Sequence, residues 1–188
     1  MIEVQAIKNK EDITKVGDLL AKHYSPQLKQ LWSFGVNVAL RISDLLSIEL
    51  KDITRVDGFY RLNIKESKTG KKANIKLNDH AVAIYQEIKL NHPDNVYLFQ
   101  SMRSKAVKVV KPLGRSYVSA ALKEVGEMLE LHIGTHSMRK TRGFHLYKVS
   151  NDIGKVMSLL RHNSEAATLR YIGITQESID QDFDDLLL

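Results

Sequence analysis

Six side chains with reactive chemistry are spread along this sequence. They are Arg41 in "ALRISDLL", Lys68 in "ESKTGK", His136 and Arg139 in "THSMRK", His162 in "LLRHNS" and Tyr171 in "TLRYIG". His162 and Tyr171 stand nine positions apart with no glycine or proline between them. His136 and Arg139 are three apart, the spacing of one face of a helical turn. By type the set offers two cations that never lose their charge, two imidazoles that exchange a proton near neutral pH, one amine and one phenol. The best partners for the two histidines are phosphate oxygens. The two histidines lack the neighbouring ligands that a metal site needs.

Taken one at a time, each residue has an ordinary reading. Arg41 follows the apolar "VNVAL" and suits an amphipathic arginine reaching for solvent. Lys68 lies in a lysine-rich turn and suits a solvated charge. His136 suits the start of a helix, His162 a half-buried surface position, and Tyr171 core packing with its hydroxyl at the edge.

The elements that must position these groups follow from periodicity. "NKEDITKVGDLLAKHY" spaces Ile13, Val16, Leu19 and Leu20 as a helix behind an Asn/Asp start. "SPQLKQLWSFGVNVAL" offers Ser25 as N-cap and Pro26 at the first helical position, where its missing N–H costs nothing. A further helix is expected to open at Ser43 or Asp44. The pattern then switches to alternation in "GFYRLNIKE" and "KANIKLN", with "SKTGK" between them, which predicts a β-hairpin with Lys68 at its tip. Helical spacing returns in "DHAVAIYQEIKL" and "SYVSAALKEVGEMLEL", and then in three shorter segments that carry His136, Arg139 and Tyr171. The expected fold class is mostly α with a small antiparallel β-sheet (α+β), as one domain.

Composition narrows the classes of function. With 188 residues, 43% hydrophobic, the chain can bury a sizeable core. It has no cysteine, which excludes a disulfide framework and a thiolate zinc site. No stretch has the length of a membrane span, and "MIEVQAIKNK" lacks the apolar core of a signal peptide, so the expected location is cytoplasmic. The net charge of +6 is unevenly spread. The tail after Tyr171 holds five carboxylates and no Lys or Arg. Residues 1–171, with all 28 basic residues against the remaining 17 acids, therefore carry +11. A body that basic suits a polyanionic partner such as nucleic acid, and equally a solvated basic surface.

Together, in this order and with this local wording, the six residues resemble the catalytic signature of the tyrosine recombinases, the phage integrase family. That family carries an Arg in a segment like "LRISELL", a Lys in a hairpin turn, an "HxxR" pair, a "GHxS" or "GWxS" segment, and a Tyr about nine residues later. Here "LRISDLL", "SKTGK", "HSMR", "RHNS" and "TLRYIG" fit, over roughly residues 6–175. The resemblance implies a catalytic domain over residues 1–175 that acts on double-stranded DNA. Tyr171 would be its nucleophile, forming a 3′-phosphotyrosyl link and freeing a 5′-hydroxyl. Arg41 and Arg139 would clamp the non-bridging oxygens with planar forks, and His162 would add a hydrogen bond there. Lys68 would protonate the leaving 5′-oxygen, and His136 would serve the tyrosine as acid and base. One phosphoester replaces another, so no cofactor, ATP or metal is expected, and no small-molecule ligand. The family also implies a monomer in solution that forms a tetramer on paired DNA sites.

Two features depart from the family. Arg161 stands where a small residue, usually glycine, precedes the His. It is expected to be a tolerated surface position, the alternatives being that it crowds the site or reaches the DNA backbone. No separate N-terminal core-binding domain is expected, since the pattern begins almost at Met1, and the chain is read as a natural small integrase, the alternative being a catalytic-domain fragment. The tail, residues 176–188, suits either a solvated end or a segment that docks on a neighbouring copy through Phe183 and Leu186 to Leu188. Strand relaxation of the type IB topoisomerase kind and a non-enzymatic DNA-binding regulator are the competing functions. The wording "LRISDLL" and "THSMRKT" weighs against the first. A binding protein has no need of a nucleophilic tyrosine, which weighs against the second.

Overall fold

In a computed structural model, which describes residues 4–102, 109–175 and 180, short polar side chains start the first two helices where the sequence placed them. Asn9 caps α1 (Lys10–His23) and Ser25 caps α2 (Pro26–Val38), each accepting a backbone N–H from the first turn. Asn78 caps α4 (Asp79–Asn91) in the same way. Between α2 and α4 lie the five-residue helix α3 (Ile42–Leu46) and strands β1 (Ile53–Val56), β2 (Phe59–Lys65) and β3 (Lys72–Lys76). Helix α3 opens at Ile42 rather than at Ser43 or Asp44, and Arg41 is its N-cap residue without a capping side-chain bond.

The strands form one antiparallel sheet in chain order, with Leu62 opposite both Ile53 and Ile75, and Lys65 opposite Lys72. The expected hairpin is β2–β3. Strand β1 adds a partner through the Asp57-Gly58 turn, where both residues have positive φ (49° and 81°) as a type I′ turn requires. Beyond α4 come α5 (Arg115–Met128), α6 (Ser137–Ser150), α7 (Ile153–Leu160) and α8 (Glu165–Ile172). Asp152 caps α7 and Ser164 caps α8.

Two apolar clusters share α6. The larger gathers Trp32, Phe34, Phe99, Leu122 and Met138 from α2, α5, α6 and the 98–99 segment. The smaller joins Phe144 of α6 to Val156 and Leu160 of α7 and Ile172 of α8. Each of those side chains is nearly or wholly buried, which contributes roughly 1.5–3 kcal/mol apiece against exposure. Ile172 thus anchors the helix of Tyr171 onto the helix of Arg139. Gly143 permits that approach: a Cβ there would lie 2.8 Å from Ile172 Cγ2 and 3.2 Å from Leu160 Cδ1. Among the described residues no helix is long and apolar enough to cross a membrane. The acidic tail, residues 176–188, lies outside the described residues except for Asp180.

Candidate active site

Tyr171 sits in the last turn of α8, half-buried rather than packed into the core. One side of it borders a cleft of about 570 Å³ lined also by Ile7, Asp12, Lys140 and Arg170. Three side chains address the ring. His136 Nδ1 is 3.4 Å from the phenolic oxygen. The imidazole of His162 meets the ring edge-on, with centroids 5.0 Å apart and planes at 86°. The ammonium of Lys140 lies 5.0 Å from the ring centroid, within cation–π range.

His136 is the N-cap residue of α6, and Arg139 follows inside its first turn. Their spacing does not give them the same surroundings: His136 is exposed, whereas Arg139 is only 2% exposed. Arg139 reconciles its burial with its charge by donating from Nη1 to the Ala39 carbonyl at 2.6 Å and from Nη2 to the Leu160 carbonyl. Both acceptors come from turns at helix ends. Ala39 is the left-handed C-cap of α2 (φ 56°), and Leu160 is the last residue of α7. Burial lowers the pKa of Arg139, yet a guanidinium stays protonated at any working pH.

Arg41 is placed by the same α2–α3 turn. Its Nη1 donates to Glu66 Oε2 at 3.0 Å. Glu66 sits at the foot of the β2–β3 turn with its side chain fully buried, and Oε2 also accepts the Thr69 hydroxyl at 2.8 Å. Its other oxygen, Oε1, is ion-paired with Arg161. Desolvation pushes the Glu66 pKa up. The Thr69 hydrogen bond and the two guanidiniums outweigh this and hold it below the usual carboxylate range. Arg161 is therefore not the surface position expected of it, for the buried carboxylate draws its guanidinium inward.

The turn itself is tied down by Asp44 of α3, whose Oδ1 accepts both the backbone N–H of Ser67, at 2.9 Å, and its hydroxyl. Asp44 is buried (1% exposed). Lys68, next to Ser67, is exposed and takes part in no hydrogen bond or ion pair among the described residues. The structure therefore brings Arg41, His136, Arg139, His162 and Tyr171 into one cluster and leaves Lys68 on the turn beside it.

Electrostatics matches this crowding of cations. The His136 pKa lies below its ordinary value because of desolvation, then the charges of Arg115, Lys140, Arg139 and Arg41. His162 is lowered by burial, Arg139 and Arg41, while its Nδ1 contacts Thr168 Oγ1 at 3.2 Å. Neutral imidazoles among fixed positive charges can take up a proton when an anion arrives. A neutral His136 at the phenol can accept the proton that a phenol must lose to become nucleophilic. Glu66, Asp44 and Lys140 were not singled out from the sequence. The only signal for Glu66 was a lone carboxylate among lysines in "KESKTGKK", together with an arginine where the family has glycine. Among the described residues no group of three or more His, Asp or Glu is arranged to hold a metal ion.

Residues 10–178 match the phage integrase family. YoeC of Bacillus subtilis (strain 168), a probable integrase/recombinase, is 36% identical over 177 residues, 93% of this chain and 92% of that protein. Tyrosine recombinase XerC of Pseudomonas fluorescens is 29% identical over 161 residues, 82% of this chain and 49% of XerC. Among solved structures, XerH recombinase bound to a palindromic difH substrate superposes with a TM-score of 0.70 at 19% identity, over 96% of this chain and 53% of that one. A lambda integrase tetramer bound to a Holliday junction gives 0.69 at 19% identity, over 93% of this chain and 50% of that one. The chain thus spans about half the length of XerC and of both solved chains, and the two structures establish the fold. With a matched family over nearly its whole length, this chain belongs to the phage integrase family.

Proposed function

We infer that this protein is a tyrosine-type site-specific recombinase acting on double-stranded DNA. The observation that carries the reading is a phenol within 3.4 Å of an imidazole in its own chain, beside two arginines oriented by buried acceptors. Tyr171 Oη attacks the phosphorus of a phosphodiester and gives its proton to His136. The bond from phosphorus to the 5′-oxygen breaks, leaving a 3′-phosphotyrosyl link. Lys68 supplies the proton that the departing 5′-oxygen takes. Arg41, Arg139 and His162 hold the non-bridging oxygens, where negative charge gathers in the transition state. In the second half, a 5′-hydroxyl from another strand attacks the phosphotyrosine and restores the phenol. Bond energy is conserved throughout, so no nucleotide hydrolysis is needed.

Strand exchange requires several such sites on paired DNA. XerH and lambda integrase have been solved on DNA, the latter as a tetramer. The proposed assembly here is a monomer in solution and a tetramer on paired sites.

The test uses a pool of fragmented chromosomal and phage DNA, resolved on a denaturing gel. The wild type should form a covalent adduct, whereas Tyr171→Phe should bind the same DNA and form none. In a parallel assay on supercoiled plasmid, relaxation without recombinant products would mean a topoisomerase. Binding by the wild type without any adduct would mean a regulator.

A further inference from the structure

Arg161 has a left-handed backbone, φ 52°, as the C-cap of α7. Glycine adopts that conformation without strain and any other residue carries a cost, so an arginine there needs a compensating contact. Glu66 provides one. Its buried carboxylate lies between Arg41 on one oxygen and Arg161 on the other. The contact also closes a ring. Arg139 ties the Ala39 carbonyl to the Leu160 carbonyl, Arg161 follows Leu160, and Arg41 lies two residues after Ala39. Helix α2, the hairpin, α6 and the α7–α8 turn are thereby fixed to one another at the cluster.

Charge explains why the two residues come together. A carboxylate placed alone on Arg41 would orient its guanidinium but cancel the charge that phosphate needs. A second guanidinium on the same carboxylate restores it. Arg41, Arg139 and Arg161 against Glu66 leave the same net charge as Arg41 and Arg139 alone.

We propose that Glu66 and Arg161 are paired positioning residues, a charge-neutral pair built on the buried Glu66 carboxylate that sets the Arg41 guanidinium and, through the 160–162 turn, the His162 imidazole. This rests on the recombinase reading above. The two residues touch no substrate in this account and act through Arg41 and His162. A double-mutant cycle tests it, with Arg161→Gly, Glu66→Gln and the double variant read by the rate of adduct formation and by DNA affinity. Glycine suits the left-handed backbone and glutamine keeps the volume of glutamate, so both variants should fold.

Arg161→Gly leaves Glu66 opposing Arg41 and should slow cleavage by about 10- to 100-fold, the range typical of groups that orient a site's ligands. Adding Glu66→Gln to it should recover about tenfold, a coupling of the size that contacting residues show. A purely structural pair would lose activity with each change and recover none. The same four proteins are also unfolded in urea. Coupling in unfolding with additive losses in cleavage overturns the positioning role, and additivity in both overturns the bridge. A wild type that forms no adduct overturns the proposed function instead, while the urea cycle still reads the bridge.

Discussion

Burial first, and then the surrounding positive charges, holds the pKa values of His136 and His162 below the ordinary 6.5, and this fixes the direction of the protein's response to pH. His145, half-buried against the Ile7 carbonyl, is lowered as well, mainly by burial. The unfolded chain therefore binds more protons than the folded one near pH 6. Stability is complete above about pH 6.5 and is lost as pH falls through the folded values. The urea midpoint should be lower at pH 5.5 than at pH 7.5. DNA should act in the opposite sense, because phosphate oxygens favour the protonated imidazole. Binding should take up a proton at His162, the histidine assigned to the non-bridging oxygens, and strengthen as pH falls from 7.5 to 6, approaching tenfold per pH unit. Calorimetry in two buffers of different ionisation enthalpy reads that uptake. Equal heats in the two buffers would mean that His162 does not meet a phosphate. At this scale the sequence names Arg41, His136, Arg139, His162 and Tyr171 through local wording. Glu66 and Arg161 pair across 95 positions, and periodicity carries no trace of such a contact.

Helix α8 carries Tyr171, and its seat on α6 depends on the missing side chain at Gly143. Gly143→Ala forces a methyl against Ile172 and Leu160, an overpacking that costs about 1–3 kcal/mol. Adduct formation should fall while DNA affinity stays near the wild-type value, and the melting temperature should drop. Unchanged cleavage kinetics in this variant would mean that α8 is not held from this side. The β2–β3 turn carries Lys68, tied back through Ser67 to Asp44. Lys68→Ala should slow cleavage by ~10²–10⁴, the usual contribution of a positioned proton donor. Substituting sulfur for the 5′-bridging oxygen should recover most of that loss, since a thiolate leaves without a proton. Equal defects on both substrates would make Lys68 a phosphate contact. The caps Asn9 and Ser25 were legible because one side chain and a neighbouring N–H suffice to make them. Strand β1 was not read, although Asp57-Gly58 is a hairpin signal. Its four residues are too few to show alternation, and only Ile53 among them is buried. The start of α3 was misplaced because no side chain caps it there.

For the whole molecule, the charge of +11 over residues 1–171 should dominate DNA affinity. Contacts with about six to ten phosphates would lose ~10³–10⁵ in affinity between ~50 and ~200 mM salt, read by filter binding or anisotropy. A flat salt profile would contradict a backbone-dominated interface. The five groups that the structure clusters come from four separate stretches of sequence, and they meet where α6 joins both apolar clusters. The smaller cluster reads from the sequence as three short helices. Their mutual arrangement rests on Gly143, Leu160 and Ile172, whose meeting no local pattern announces. The central claim is that Tyr171 becomes joined to DNA, and mass spectrometry of the trapped complex after nuclease and protease digestion tests it most directly. The account predicts one modified peptide, with a nucleotide 3′-phosphate on Tyr171. A nucleotide on any other residue, or one attached through its 5′-phosphate, would contradict it.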